Sequence, residues 1–580
     1  MQDYLTTSIF PFALNSDSQE FFRWAKDIVY GDFLNHKAFM KWPLYPYILA
    51  GIFKISGIKL SVVYYLQFII GVLSSVLVYF ISKEFFNKEA SFLAGLLTAT
   101  YGLFIFFESL AVYTTISILL NLIILFIFIK TKDDLNGLKL FWIGVLSGIA
   151  TILQGNIIIF ASCACLWLLI INKNKLHIII FRFISFIIGA LFIISLTVIH
   201  NYLVEKDFVL IQGNAGINFY IGNNHNANGI FYCPDEFSAS QEGIFRNARI
   251  IASYNVGRQL KTSEVSFYWF KRGIVSICRE PFRHLLLIIK KLGLVFSPYE
   301  YTNEVEFYIL RENVDILKYL PSNLIFIFPF IITGVLFGIK NFKKLALLYI
   351  FLVSIAISIT IFFITSRYRI IITPIFIIFA SYGLTNWIYV IKKKKYFIVF
   401  TCLLLLAYGL LFCDSSWYKK SLIQSDDFES YMFIASRLYN DGQYYNAFIE
   451  LRKALMIRPD NQRALFLAGE LSFYLRNLKE ANKYWLRLIE INPLASEAYY
   501  SLGFIYNEQF RFKDAVVMFQ KTLSLDPENK LAYYQLGLAY KGLDKKEEAK
   551  NVFTIGLTKL NASDRLKQEI IKKELELLRK

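Results

Sequence analysis

The chain has 580 residues, 56% of them hydrophobic and 17% aromatic, and its mean hydropathy is +0.46. These values exclude an ordinary soluble domain and point to membrane spans. The formal charge of +18 would suggest nucleic acid for a soluble protein. Here the lysines sit in short loops between apolar runs, where they orient helices, and nucleic acid drops out as a partner.

The first polar stretch is Ser16–Tyr47. It carries Asp17, Glu20, Asp27 and Asp32, then Arg23, Lys26, His36, Lys37 and Lys41, and closes on the aromatic and proline run Trp42–Tyr47. Apolar runs follow at Val62–Ser82, Glu89–Phe107, Leu110–Lys130, Leu140–Leu153, Ile157–Asn172, Leu176–Ile199, Leu324–Ile339, Leu345–Ile364, Ile370–Ile391 and Tyr396–Cys413. A span needs about 20 apolar residues, and several of these runs are shorter. Backbone polar groups must be satisfied internally in lipid, so the expectation is an all-α polytopic transmembrane domain.

Lysines mark every second turn: Lys83 and Lys88, Lys130 and Lys132, Lys173 and Lys175, Lys340 to Lys344, and Lys392–Lys395. These turns should face the cytoplasm. The alternate turns, at Glu108, Gly155-Asn156 and Ser366–Arg369, then lie outside. So do Ser16–Tyr47, the large loop His200–Pro321 and everything after Cys413. This sidedness leaves the N-terminus outside with no span before it, so a first helix is expected to be missing.

Cys163, Cys165, Cys402 and Cys413 fall in apolar runs and read as core, while Cys233 and Cys278 lie in the large loop, where a disulfide is one option. The five histidines show no metal-ligand spacing. Gly216–Asn224 is glycine-rich, but no Gly-Lys-Ser/Thr follows, so it reads as a turn-rich loop and not a P-loop. No metal site is expected, although the Asp and Asn residues of that loop leave a divalent metal open.

Beyond Cys413 the pattern changes. Pro459, Pro493 and Pro527 are 34 residues apart, and Ala447, Ala481, Ala515 and Ala549 share that period. So do the small residues Ala435, Gly469, Gly503 and Gly537 and the bulky Leu451, Trp485, Phe519 and Phe553. This is the tetratricopeptide (TPR) signature. It predicts an α-solenoid of four repeats over 428–561 with a capping helix Asp564–Lys580. The boundaries expected are a membrane domain 1–414, with a first outer loop 1–61 and a large loop 200–321, a linker 415–427, and a solenoid 428–580.

The outer face gathers carboxylates (Asp17, Glu20, Glu108) and cations (Lys41, Arg367, Arg369, His200). Carboxylates can deprotonate a hydroxyl, and cations can hold a phosphate leaving group. Asp17 and Glu20 share a helix face one turn apart. A charge at Glu108, on the lip of two apolar runs, is costly enough to suggest a role. The bland readings are a helix-start charge for Glu20, interfacial solvation for Glu108, a snorkelling Lys41, and interfacial anchors for Arg367 and Arg369.

The motifs resemble those of the GT-C superfamily of membrane glycosyltransferases. More narrowly they resemble bacterial relatives of dolichyl-phosphate-mannose–protein mannosyltransferase, and the RgtA/B/C/D-like and lipid A aminoarabinose transferases, in the subset with C-terminal TPRs. The residues concerned are Ser16–Phe21 with Trp24-Ala25, Gly31–Phe33, Pro43–Ala50, Phe106–Glu108, Asn201-Tyr202, Asp207–Ile211, Gly216–Asn224 and Ser366–Arg369.

The resemblance implies that a sugar moves from a polyprenyl-phosphate-linked donor to an extracytoplasmic hydroxyl on a lipid, glycan or protein, with inversion. It makes Asp17 the general base or acceptor-positioning carboxylate, Glu108 the second acidic site residue and Lys41 a candidate donor-phosphate contact. The residues themselves add Glu20 as a further catalytic candidate and Arg367 and Arg369 as further phosphate contacts. The resemblance implies no certain cofactor. The implied location is a bacterial inner membrane, among membrane lipids, with site and repeats periplasmic and the repeats open to a protein partner or acceptor. Gln154 and His200 stand where the family often has Arg, which weakens the case for phosphate binding at those two places. Two other readings compete: a TPR scaffold for envelope assembly with a membrane anchor, and a transporter of lipid-linked glycans.

Overall fold

The computed structural model describes residues 17–34, 38–172, 175–231, 234, 237, 241–297, 299–301, 307, 311, 314–321, 324, 327–392, 427–560 and 565–579. Among these residues the chain is helical. The β-structure present is one isolated bridge between Ile230 and Ile364. Two compact units form: 1–29, 33–232 and 261–415 in the first, and 30–32, 233–260 and 416–580 in the second.

In the first unit the polar stretch folds as the helix Asp17–Val29, a loop, and the apolar helix Leu44–Ser56. Phe21, Trp24 and Ala25 are buried on one side of the first helix and Tyr45, Leu49 and Phe53 on one side of the second. These i, i+3 and i+4 rows join in one aromatic core. Phe21 meets the rings of Tyr45 and Tyr113 edge-on at 5.5 and 5.9 Å.

The expected apolar runs fall on helices, except Tyr396–Cys413, which lies outside the described residues. Leu60–Lys83, Thr114–Thr131, Leu176–Glu205 and Phe342–Thr360 are long and apolar enough to cross a membrane. Gly137–Leu153, Ile157–Ile171 and Phe328–Ile339 are shorter. The run Glu89–Phe107 is not straight: it breaks between Lys88–Thr100 and Gly102–Glu108 with a 48° bend. There the Gly102 N–H leaves the helical ladder and donates to Pro321 O at 2.8 Å. Outward-facing Phe181, Ile184, Ile188, Leu191 and Phe192 give Leu176–Glu205 an apolar surface that suits lipid.

Small residues bring membrane helices together. A Cβ on Gly144 would sit 2.0 Å from Phe186 O, and one on Gly189 would sit 2.1 Å from Phe141 O. Gly137–Leu153 and Leu176–Glu205 therefore pack backbone to backbone, as apolar solvent requires when packing replaces the hydrophobic effect.

Contacts group the turns at two ends of the helices. At one end Lys130 pairs with Glu84 at 2.6 Å, Asn172 donates to Lys132 O at 2.6 Å, and Lys344 donates to Phe85 O at 3.1 Å. At the other, the Phe39 N–H donates to Asn201 at 2.9 Å, the Ser366 N–H to Tyr301 O at 2.8 Å, and the Trp42 ring lies against Gly155.

Two expectations need correction. Gly216–Asn224 is not a turn-rich loop: Ala215–Asn223 is a helix. Its glycines serve close approach, since a Cβ on Gly216 would lie 1.7 Å from Ser266 O and one on Gly222 2.3 Å from Phe362 O. Cys163 is not core but exposed, and Cys278 is a free, exposed thiol, while Cys233 lies outside the described residues.

In the second unit, the helix pairs Asp427–Asn440/Tyr444–Ile457, Gln462–Tyr474/Leu478–Ile491, Ser496–Glu508/Phe512–Leu525 and Lys530–Gly542/Lys546–Thr558 form the repeats, and Arg565–Arg579 follows. The period has a direct cause. A Cβ on Gly469, Gly503 or Gly537 would fall 2.2, 2.8 or 2.4 Å from Trp485, Phe519 or Phe553. Each aromatic fills the notch its repeat's glycine leaves. The turn within each pair needs a left-handed residue, and it falls on Gly442, Arg476, Phe510 and Asp544, again 34 apart.

Candidate active site

Helix Asp17–Val29 puts two carboxylates in its first turn, Asp17 and Glu20. Lys41, at the end of the following loop, reaches both: its Nζ bonds Asp17 Oδ1 and lies 2.5 Å from Glu20 Oε2. From the far end of the unit's sequence, Arg367 Nη1 lies 2.7 Å from Asp17 Oδ2. Asp17 is thus held on both oxygens by two cations.

The cluster is sheltered but not sealed. The side chains of Lys41 and Arg367 are each 7% exposed, Asp17 14% and Glu20 35%. Burial alone would pull the Lys41 ammonium down. The charges of Asp17 and Glu20, and the bonds they accept, outweigh it and hold Lys41 above its usual value, so it is cationic at any physiological pH.

Aromatic rings complete the frame. The Arg367 guanidinium stands 5.3 Å from the Tyr113 ring and 5.6 Å from the Tyr368 ring, within cation–π range. Tyr45, beneath Phe21, donates to Gln67 Oε1 at 3.0 Å, and Gln67 Nε2 donates to Glu108 O and Leu110 O at 2.8 and 2.7 Å. Asn201 and His200 anchor the Lys41 loop. Asn201 accepts from the Phe39 N–H, and the His200 ring stacks on Phe39 at 3.8 Å and contacts Leu34 O.

Of the sequence candidates, Asp17, Glu20, Lys41 and Arg367 come together. Glu108 and Arg369 do not join them. The Glu108 carboxylate faces Gly71 in a cleft of about 10 Å³ shared with Ser74, Ser75, Thr98 and Thr115; only its backbone carbonyl links to the cluster, through Gln67. Arg369 pairs instead with Glu300 and bonds the Leu294 and Ser297 carbonyls, with the Arg369 and Glu300 side chains 2% and 1% exposed. Tyr113, Gln67 and Asn201 were not singled out from sequence. Tyr113 had one available signal, a polar aromatic five residues past Glu108 in the same turn. Among the described residues no three His, Cys, Asp or Glu side chains gather as a metal site.

Residues 40–200 match the family model described as dolichyl-phosphate-mannose-protein mannosyltransferase, a stretch that contains Lys41, Glu108 and His200. Residues 496–529 and 531–554 match a tetratricopeptide repeat. No curated protein matches the chain. Among solved structures, a crystal structure of MamA is 26% identical with TM-score 0.23, over 24% of this chain and 83% of that one. MamA from Desulfovibrio magneticus RS-1 is 19% identical with TM-score 0.23, over 26% and 89%. The archaeal oligosaccharyltransferase AglB from Archaeoglobus fulgidus, solved with an inhibitory peptide and a dolichol-phosphate, is 13% identical with TM-score 0.32, over 74% and 55%.

The resemblance read from the motifs is met by the mannosyltransferase model over residues 40–200 and by the repeat model over 496–554. With the apolar helices, the chain is a multi-pass membrane protein, and its match over residues 40–200 supports glycosyltransferase activity. Its C-terminal region is a TPR array.

Proposed function

We propose that the chain transfers a sugar from a polyprenyl-phosphate-linked donor to an extracytoplasmic hydroxyl on a lipid, glycan or protein. The observation that carries this reading is Asp17 bracketed by Lys41 and Arg367 at the end of the bundle opposite the lysine-rich turns. The proposed setting is a bacterial inner membrane with the cluster on the periplasmic side. The proposed division is a membrane domain 1–414, a linker 415–427 and repeats 428–580, the repeats docking a protein partner or acceptor.

The geometry supports the following chemistry. The acceptor oxygen attacks the anomeric carbon while the bond from that carbon to the phosphate oxygen breaks. The electron pair leaves on polyprenyl phosphate, and the hydroxyl proton passes to Asp17. A donor phosphate competes with Asp17 for Lys41 and Arg367, and both cations suit it. Donor binding therefore frees the carboxylate to act as base. A single displacement inverts the anomeric centre.

The test is transfer by membranes carrying the full chain, supplied with a panel of radiolabelled polyprenyl-phosphate sugars. Wild-type membranes should label an acceptor, and Asp17→Ala at equal expression should lose about 10²-fold or more of that activity. Unchanged transfer by Asp17→Ala would refute the assignment.

A further inference from the structure

The large loop does not stay within the first unit. Residues 233–260 share a compact unit with 416–580. Helix Gln241–Val256 buries Ile244, Ala248, Ile251 and Ala252, an i, i+4, i+7, i+8 face of the kind that docks against a partner. On the same helix, Arg246 Nε lies 3.3 Å from Asp526 Oδ2.

Asp526 closes the second helix of the third repeat, Phe512–Leu525, and its side chain is 7% exposed. A nearly buried carboxylate needs a counter-charge. At a helix C-terminus the dipole disfavours negative charge further. Arg246, from outside the repeats, supplies a compensating charge.

The segment then runs directly into the loop that frames the candidate site. Within the second unit, the Leu260 N–H donates to Ser253 Oγ at 3.2 Å. Two residues on, Thr262 starts the next helix of the first unit. A Cβ on Gly213 would lie 2.2 Å from Thr262 Cγ2 and 3.0 Å from Met40 Sδ, so both side chains close on that glycine. The Gly213 N–H donates to Phe39 O at 2.8 Å, and Lys41 follows Met40.

We infer that the repeat array takes the helix Gln241–Val256 of its own chain as a partner, and through residues 257–261 tethers the contact that fixes the Lys41 loop. The repeats then act as a clamp on the large loop. A protein competing for this surface would loosen the Lys41 loop without touching it.

Hydrogen exchange of the full chain in detergent tests this, by comparing wild type, Arg246→Asp, Asp526→Arg and the double exchange. Each single change should raise exchange in peptides covering 241–256, on the order of tenfold, with peptides covering 38–43 rising alongside; the double exchange should restore both. Peptides covering 530–558 report whether either single change has unfolded the repeats, and Arg246→Asp alters no residue of the repeats themselves. Exchange at 241–256 unchanged by Arg246→Asp, or not restored in the double variant, overturns the clamp. A rise at 241–256 with none at 38–43 overturns the tether. Neither readout involves sugar transfer, so failure here is distinguishable from failure of the proposed activity.

Discussion

The two units differ in what most of their interior is built from. The first places charges where apolar groups would cost less: Asp17 between Lys41 and Arg367, and Arg369 against Glu300. The second has a repeating interior of shape, with Trp485, Phe519 and Phe553 seated over Gly469, Gly503 and Gly537. Packing alone does not call for a carboxylate with a cation on each oxygen. On the proposed reading, reactivity belongs to the first unit and holding to the second.

Within the first unit the two ion-pair sites also differ. Arg369 and Glu300 are sealed, whereas the Asp17 cluster keeps Glu20 35% exposed. Arg369→Met should therefore act on the fold. Stranding Glu300 should cost about 3–5 kcal/mol, seen as loss of monodisperse protein on detergent extraction. If Arg369→Met instead extracts normally and transfers poorly, the sealed pair belongs to the chemistry and the contrast fails.

Arg367→Met, two residues away, should leave extraction intact and raise the KM for donor by about tenfold, the scale of one charge-assisted contact. Titration of donor in membranes checks this.

In the second unit the predicted effects are on packing. Gly537→Val forces a side chain into Phe553 and should destabilise the fourth repeat by about 1–3 kcal/mol, read by exchange in peptides covering 530–558, with the Asp17 cluster undisturbed.

One carboxyl in the repeats has a pH signature. Burial pushes Glu470 up to about 7 from 4.5. Because the folded value is the higher, the folded state holds the proton over a range where the unfolded chain has lost it. That contribution to the array's stability is fully present below about pH 4.5 and is lost as pH rises through about 7. Glu470→Gln should stabilise the second repeat at pH 8 by about 1–3 kcal/mol and do nothing at pH 4, by thermal unfolding at both pH values.

The smallest effect concerns Phe510, which holds φ +60° where the first repeat has Gly442. Phe510→Gly relieves left-handed strain and adds unfolded-state entropy, for a net gain of about 0.5 kcal/mol.

What could be read from the chain depends on range. Asp17 and Glu20 are one turn apart, so their common face followed from spacing, and the repeats declared themselves through a 34-residue period. Arg367 and Arg369 could not be told apart, because their partners, Asp17 and Glu300, lie 350 and 69 residues away and sequence carries no record of which is which. The bend at Tyr101 was hidden for the same reason: there the Gly102 N–H turns to the distant Pro321 carbonyl. Ala215–Asn223 misled because glycine marks both turns and close helix contacts, and only the neighbouring backbone of Ser266 and Phe362 decides between them.

The most direct test separates binding from transfer in Asp17→Asn, which keeps the side chain's shape and removes its charge. If Asp17 competes with donor phosphate for Lys41 and Arg367 and then takes the acceptor proton, the variant should bind polyprenyl-phosphate donor at least as tightly as wild type, while its single-turnover transfer falls about 10²-fold or more. Transfer within tenfold of wild type at saturating donor would contradict the account.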